Sequence, residues 1–256
     1  MSVRFFSIIH DAYFSKTGLK LSINHATREA IEQIQAFWST SRFYCTESNV
    51  ILRVMHSPIG YQVRGVPVFF EQGETDTDKY QDLVLDFTSE GKISDVYIAI
   101  PQHQVDEILK GNSVTDLRRR QLVLKFFENF QTAYFRKDIA FIEKVFNSDV
   151  RIIIRGYDER SHLEYLSKIR KAFQRNEYFN VKLSEIKVEQ HPNQRNEHIY
   201  GVTLRQDWSS TTYSDSGWLF LMIDFSNEDK PIIWVATWQP ISVPRVQVYW
   251  FDDFLI

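Results

Sequence analysis

Apolar side chains at Leu117, Val123, Phe126, Phe127, Phe130 and Tyr134 repeat at the spacing of one helix face and predict a helix over about 115–136. Ser113 followed by Asp116 supplies the start signal, because a hydroxyl and a carboxylate three residues apart cover free amides of the first turn. Asp138 caps a second helix carrying Ile139, Phe141, Ile142, Val145 and Phe146, which Asn147-Ser148-Asp149 breaks. Arg151–Arg155 is a short β-branched strand closed by Gly156. A third helix spans about 161–176, with Leu163, Leu166, Ile169, Ala172 and Phe173 on one side. Four strands follow. Val181–Gln190 alternates with a slip at Ser184-Glu185 that suggests a bulge. Ile199–Trp208 places Tyr200, Val202, Leu204, Gln206 and Trp208 on one face. Trp218–Phe225 is apolar on both faces and so belongs in mid-sheet. Ile232–Gln239 pairs with it through the polar hairpin loop Ser226–Pro231.

Residues 24–110 read as a unit of their own. Asn24 or Thr27 caps a helix running to about Ser39, with Ala30, Ile31, Ile34, Phe37 and Trp38 on its buried side. Strands follow at Val50–Met55, Tyr61–Glu71, Leu83–Phe87 and Val96–Ile100. Ser57–Gly60 and Ser89–Lys92 are the turns, each holding a glycine where a positive φ is expected. Gln102–Leu109 is a short helix leading to Gly111-Asn112, the expected boundary. The division is therefore 1–112, 113–240 and a strand-like aromatic tail at 241–256, which is expected to pack back on a domain.

Helix, helix, strand, helix and four antiparallel strands fit one strongly curved sheet wrapped by helices. The runs Asp116–Gln121, Phe127–Phe130, Tyr200–Leu204, Gln206-Asp207-Trp208, Thr212–Asp215, Asp229-Lys230-Pro231 and Thr237–Pro240 carry a resemblance over 115–240. That span resembles the nuclear transport factor 2 and ketosteroid isomerase superfamily, and within it an uncharacterised bacterial family. The resemblance implies an α+β, cystatin-like cone, here preceded by a smaller helix-plus-antiparallel-sheet domain that is read as a reduced copy of the same fold. It also implies a ligand site inside the curl, and dimers formed through the sheet face. The fold hosts isomerases, dehydratases, cyclases and pure binding modules, so it does not choose among them. The last strand departs from the family pattern: Trp234 and Ala236 stand where a His and an Arg are implied.

Composition narrows the field. The formal net charge of −3 leaves no nucleic-acid footprint, and the run Arg118-Arg119-Arg120 reads as a solvated helix face, with an anion or partner contact as the alternative. Aromatics make up 15% of the chain, which suits a core or pocket lined with rings. One cysteine, Cys45, excludes an internal disulfide and reads as a half-buried structural thiol. No apolar run is long enough for a membrane span. The apolar run at Phe5–Ile9 is too short for a signal peptide and is interrupted by His10 and Asp11. The chain thus reads as cytoplasmic as it stands, or as exported to periplasm or cell surface if an upstream signal has been removed.

Polar groups on apolar faces are the candidates for chemistry. Gln206 shares its face with Tyr200 and Trp208; Asp224 aligns with Trp218, Phe220 and Met222; Thr237 aligns with Val235 and Ile233; Tyr134 ends the stripe of the long helix. Gln206, Tyr200, Trp208, Trp218 and Thr237 are the expected ligand-binding set. An enzyme of this fold needs a carboxylate base near an oxyanion donor, and Asp224 with Tyr134 is the available pair. The competing reading makes Asp224 a cap for the hairpin at Asn227. The seven histidines are scattered and make no ligand-type pair, so no metal is expected. No phosphate loop, Gly-x-Ser-x-Gly or Cys-x-x-Cys occurs, and no cofactor is expected. Gly201 and Gly217 read as bends that let the sheet curl. The favoured function is a non-catalytic binding or interaction module with an apolar small molecule or a homodimer or protein partner through the sheet face. The alternative is an isomerase, dehydratase or cyclase.

Overall fold

The structure is a computed structural model that describes residues 2–45, 52–57, 60–73, 75–110, 117–154, 158–191 and 196–241. It divides into two compact units, Met1–Ala99 and Ile100–Ile256. The helix-start signature at Ser113–Asp116, the junction at Gly111-Asn112, Gly156 and the tail beyond Ile241 lie outside the described residues.

The first unit begins with helix α1 (Ser2–Phe14), which its sequence pattern alone does not assign. Helix α2 (Arg28–Thr40) starts at Thr27, whose hydroxyl accepts the Ala30 N–H, and buries Ala30, Ile34, Phe37 and Trp38. Strand β1 (Phe43–Cys45) is fixed to α2 by the Trp38 indole, which donates to the Phe43 carbonyl at 3.0 Å. Burial pushes the Cys45 thiol up to about 12, so it is a packing residue and not a thiolate. Strands β2 (Arg53–Ser57) and β3 (Gly60–Phe70), the single helical turn α3 (Asp76–Lys79), and strands β4 (Tyr80–Thr88) and β5 (Ile93–Ile98) complete the unit. The sheet order is β1-β3-β4-β5, with β2 also on β3, and every pairing is antiparallel. The two turn glycines differ. Gly91 has φ 81° as expected, whereas Gly60 is required by crowding: a Cβ there would lie 2.2 Å from the Phe87 carbonyl oxygen.

Helix α4 (Gln102–Lys110) belongs to the second unit, where the sequence reading had put it before the boundary. Its Val105 and Ile108 enter the same core as helix α5 (Leu117–Phe135). Helix α6 (Ile139–Val145) is capped by Asp138, which accepts the Phe141 N–H at 3.0 Å. Strand β6 (Phe146–Ile154) starts earlier than expected because Phe146 and Val150 are core residues. The three-residue strand β7 (Asp158–Arg160) is polar throughout and gives no apolar signal to read. Helix α7 (His162–Arg175) carries a full capping box between Ser161 and Glu164. Strands β8 (Phe179–Gln190), β9 (Ile199–Ser210), β10 (Ser214–Asp224) and β11 (Ile232–Pro240) follow. The unit is an α+β fold with a curved sheet of order β7-β6-β11-β10-β9-β8. Strand β10 is central, as its two apolar faces require. The β6–β11 pairing is parallel, unlike the others.

The bulge in β8 is present: the register shifts between Ser184 and Lys187, and Glu185 has φ 52°. Helix α5 is buried nearly all round from Val123 onward, not on one face alone. Its polar residues are therefore tied down. Glu128 accepts the Ile100 N–H at 3.2 Å, Gln131 accepts the Leu183 N–H at 3.1 Å, and Thr132 donates to the Glu128 carbonyl. The run Arg118-Arg119-Arg120 stays exposed to half-buried and also has protein partners: Arg118 pairs with Glu228, Arg119 donates to the Glu197 carbonyl, and Arg120 to that of Leu109.

Candidate functional site

The inner face of the curved sheet is set by register. Leu204 pairs with Leu219, and Leu219 with Trp238; Val202 pairs with Leu221, and Leu221 with Ala236. These residues join the Phe130 and Tyr134 side of α5 in one core. The core does not fill the curl. A cavity of about 750 Å³ remains, bounded by α5, α7, β6, β7, β9, β10 and β11. Its floor carries Phe130, Tyr134, Ile152, Leu219, Leu221 and Ala236, and its walls carry Tyr165, Trp208 and Trp238. The Tyr134 ring stands edge-on to Trp208 at 4.9 Å and to Phe130 at 5.1 Å.

Two polar features lie among these rings. The Tyr134 and Tyr165 hydroxyls are 2.8 Å apart. Burial pushes the Tyr134 phenol well above its ordinary value and raises that of Tyr165, so both are neutral hydrogen-bonding groups. Gln206 is 3% exposed and lines the cavity. Gly217, its register partner on β10, has no side chain because the Trp238 ring stands there: a Cβ would lie 2.7 Å from that ring. The glycine thus makes room for a cavity wall.

The mouth is framed by Asn176, at the end of α7. Its side-chain oxygen accepts both the N–H and the hydroxyl of Thr212, at 2.9 and 2.7 Å, and its amide donates to the Ala172 carbonyl. That clamp ties α7 to the β9–β10 connection. On the rim, Arg160 pairs with Asp158, while α7 contributes Lys168, Lys171 and Arg175.

Of the residues singled out from sequence, Tyr134, Gln206 and Trp208 meet at the cavity. Thr237 borders it, but its register partner is Phe220, a member of the small cluster on the outer face, and the bulge near Ile233 separates Thr237 from the face of Ile233. Trp218 follows the outer register with Phe220. Tyr200 is fully buried below the cavity, where Arg119 reaches its hydroxyl at 3.4 Å. Asp224 and Tyr134 are not brought together. Asp224 accepts the Ser226 N–H at 2.7 Å and lies 3.8 Å from the His198 ring, outside the cavity lining. The β10 alternation explains this: inward residues are Leu219, Leu221 and Ile223, and Asp224 follows them on the other side. Sequence reasoning missed Tyr165, Trp238 and the α7 rim. For the rim a signal existed, since 168, 171 and 175 repeat at helical spacing beside the apolar stripe.

Comparison with known proteins places the second unit. The family described as the Cds6 C-terminal NTF2-like domain matches residues 122–235, which lie within the second unit. No curated protein matches the chain. Among solved structures, Bd1075 from Bdellovibrio bacteriovorus is similar at 18% identity and TM-score 0.42, covering 60% of this chain and 49% of its own. The chain thus spans about half the length of that protein. An NTF2-like protein from Cytophaga hutchinsonii is 10% identical over 48% of this chain and 98% of its own, TM-score 0.36. A protein of unknown function with a cystatin-like fold from Nostoc punctiforme is 11% identical over 52% and 99%, TM-score 0.40.

Proposed function

We propose that the nuclear transport factor 2-like domain is a non-catalytic module that binds a small, largely apolar molecule in its cone. The observation that carries this reading is the ring-lined cavity of about 750 Å³ with the Gln206 side chain on its wall. A ligand with one polar group meets the Gln206 amide, while the surrounding rings take its apolar body.

The enzyme reading needs a base inside the cone. Asp158 is the one carboxylate among the described lining residues, and it is paired with Arg160 at the rim. Asp224 is engaged by the Ser226 backbone elsewhere. The binding reading therefore takes precedence over an isomerase, dehydratase or cyclase.

Titration with the neutral fluorophore N-phenyl-1-naphthylamine tests it. Fluorescence should rise saturably with the native protein, and Ala236→Phe, which narrows the floor, should abolish the rise. Ala172→Trp at the rim serves the same purpose if the first variant does not fold. No saturable binding, or binding that both variants leave intact, would contradict the proposal.

A second reading concerns the outer sheet face. Phe220 and Val235 cluster there with Met222, and Trp234, beside Val235 at the register shift, is 40% exposed. That exposed ring favours self-association through this face, as the superfamily resemblance implies.

A further inference from the structure

The rim of the cavity differs from its interior. Lys168, Lys171 and Arg175 follow one another at intervals of three and four along α7, so their side chains share the stripe that also carries Ala172 to the opening. All three are exposed, and Lys171 and Arg175 have no ion-pair partner among the described residues. Lys168 has Glu164 one turn away, a carboxylate already held by the Ser161 amide and hydroxyl. Arg160 and Asp158 neutralise each other. Across the opening, β9 and the following turn present the uncharged hydroxyls of Ser210, Thr212 and Tyr213, the last donating to the Asp215 carboxylate outside the lining. The described lining residues thus hold four cations against one carboxylate, in a chain whose net charge is −3. Such a concentration of one sign at the mouth of an apolar cleft attracts and orients an anion.

We infer that the natural ligand is an amphipathic anion. This rests on the cavity being a binding site. The apolar body lies among Phe130, Trp208, Leu221 and Trp238, an uncharged polar group meets the Gln206 amide, and a carboxylate, sulfonate or phosphate emerges at Lys168, Lys171 and Arg175. Charge-assisted contacts to the rim give the head group its preference.

A matched pair of probes separates the two ideas. 1-Anilinonaphthalene-8-sulfonate and N-phenyl-1-naphthylamine share their rings and differ by one sulfonate. The native protein should bind the sulfonate about tenfold more tightly, equivalent to about 1.4 kcal/mol. The triple variant Lys168→Gln, Lys171→Gln, Arg175→Gln should erase that difference and leave the neutral probe unchanged. Raised sodium chloride should weaken only the anionic probe. Inorganic phosphate at matched ionic strength, which has charge but no apolar body, should displace neither. Equal affinities for the two probes, an unaltered preference in the triple variant, or displacement by phosphate alone would overturn the anion inference and leave the cavity reading standing. Loss of both probes' cavity dependence, judged with Ala236→Phe or Ala172→Trp, would overturn the cavity reading itself.

Discussion

The Trp238 ring occupies the volume that a side chain at Gly217 would need, with a Cβ there 2.7 Å from the ring and 2.5 Å from the Gln239 carbonyl oxygen. The backbone contact cannot be relieved by rotating a side chain, so the strand itself has to move. Gly217→Ala should cost roughly 1–3 kcal/mol in urea unfolding. It should also weaken the neutral probe, because Trp238 is a cavity wall. Unchanged stability would show that β10 and β11 have slack at this point.

The phenol pair gives a pH signature. Burial raises the pKa of Tyr134 and Tyr165 above 10.0, so both stay neutral in the folded protein while the same groups ionise in the unfolded chain. Their contribution is complete below about pH 10 and is lost as pH rises through the folded values. Melting temperature should begin to fall near pH 9, where the Cys45 thiol ionises in the unfolded chain, and fall more steeply above pH 10. Tyr134→Phe should make the fall shallower, and it should lower stability at neutral pH by about 1 kcal/mol because the Tyr165 hydroxyl loses its partner. An identical alkaline slope in the variant would remove Tyr134 from this account.

Strand β8 is an edge, and glutamines from two helices cover it: Gln131 of α5 takes the Leu183 N–H and Gln104 of α4 takes the Ile186 N–H at 2.7 Å. Gln104→Ala strands the second amide and should cost roughly 1–3 kcal/mol. Gln102→Ala, which removes a surface contact to Asp106, should stay within about 0.5 kcal/mol. Equal effects in thermal melts would mean that α4 does not guard the edge.

Trp234→Glu addresses self-association. If the outer face pairs two copies, the native protein should elute as a dimer and the variant as a monomer in size-exclusion chromatography with light scattering. Identical masses would rule out Trp234 as the contact.

The second unit was legible in the sequence because its signals are local. Asp138 and Ser161 announce their helices, the slip at Ser184-Glu185 announces the bulge, and two apolar faces put Trp218–Phe225 in mid-sheet. Strand β7 was not legible, since Asp158-Glu159-Arg160 has no apolar member and exists only by pairing with β6. The site was half legible. Alternation along β9 correctly grouped Gln206 with Trp208, but alternation cannot say which face of β10 meets that group across the sheet. Asp224 and Trp218 were therefore aligned with one another and not with the cavity. Tyr165 was invisible for a similar reason: it meets Tyr134 only through the packing of two helices 31 residues apart in sequence.

The most direct test of the central claim is a crystal structure of the protein grown with N-phenyl-1-naphthylamine. The account predicts the rings of the probe between Tyr134, Trp208 and Trp238, with its secondary amine hydrogen-bonded to the Gln206 side-chain oxygen. A cavity closed by those same side chains, with the probe elsewhere or absent, would contradict it.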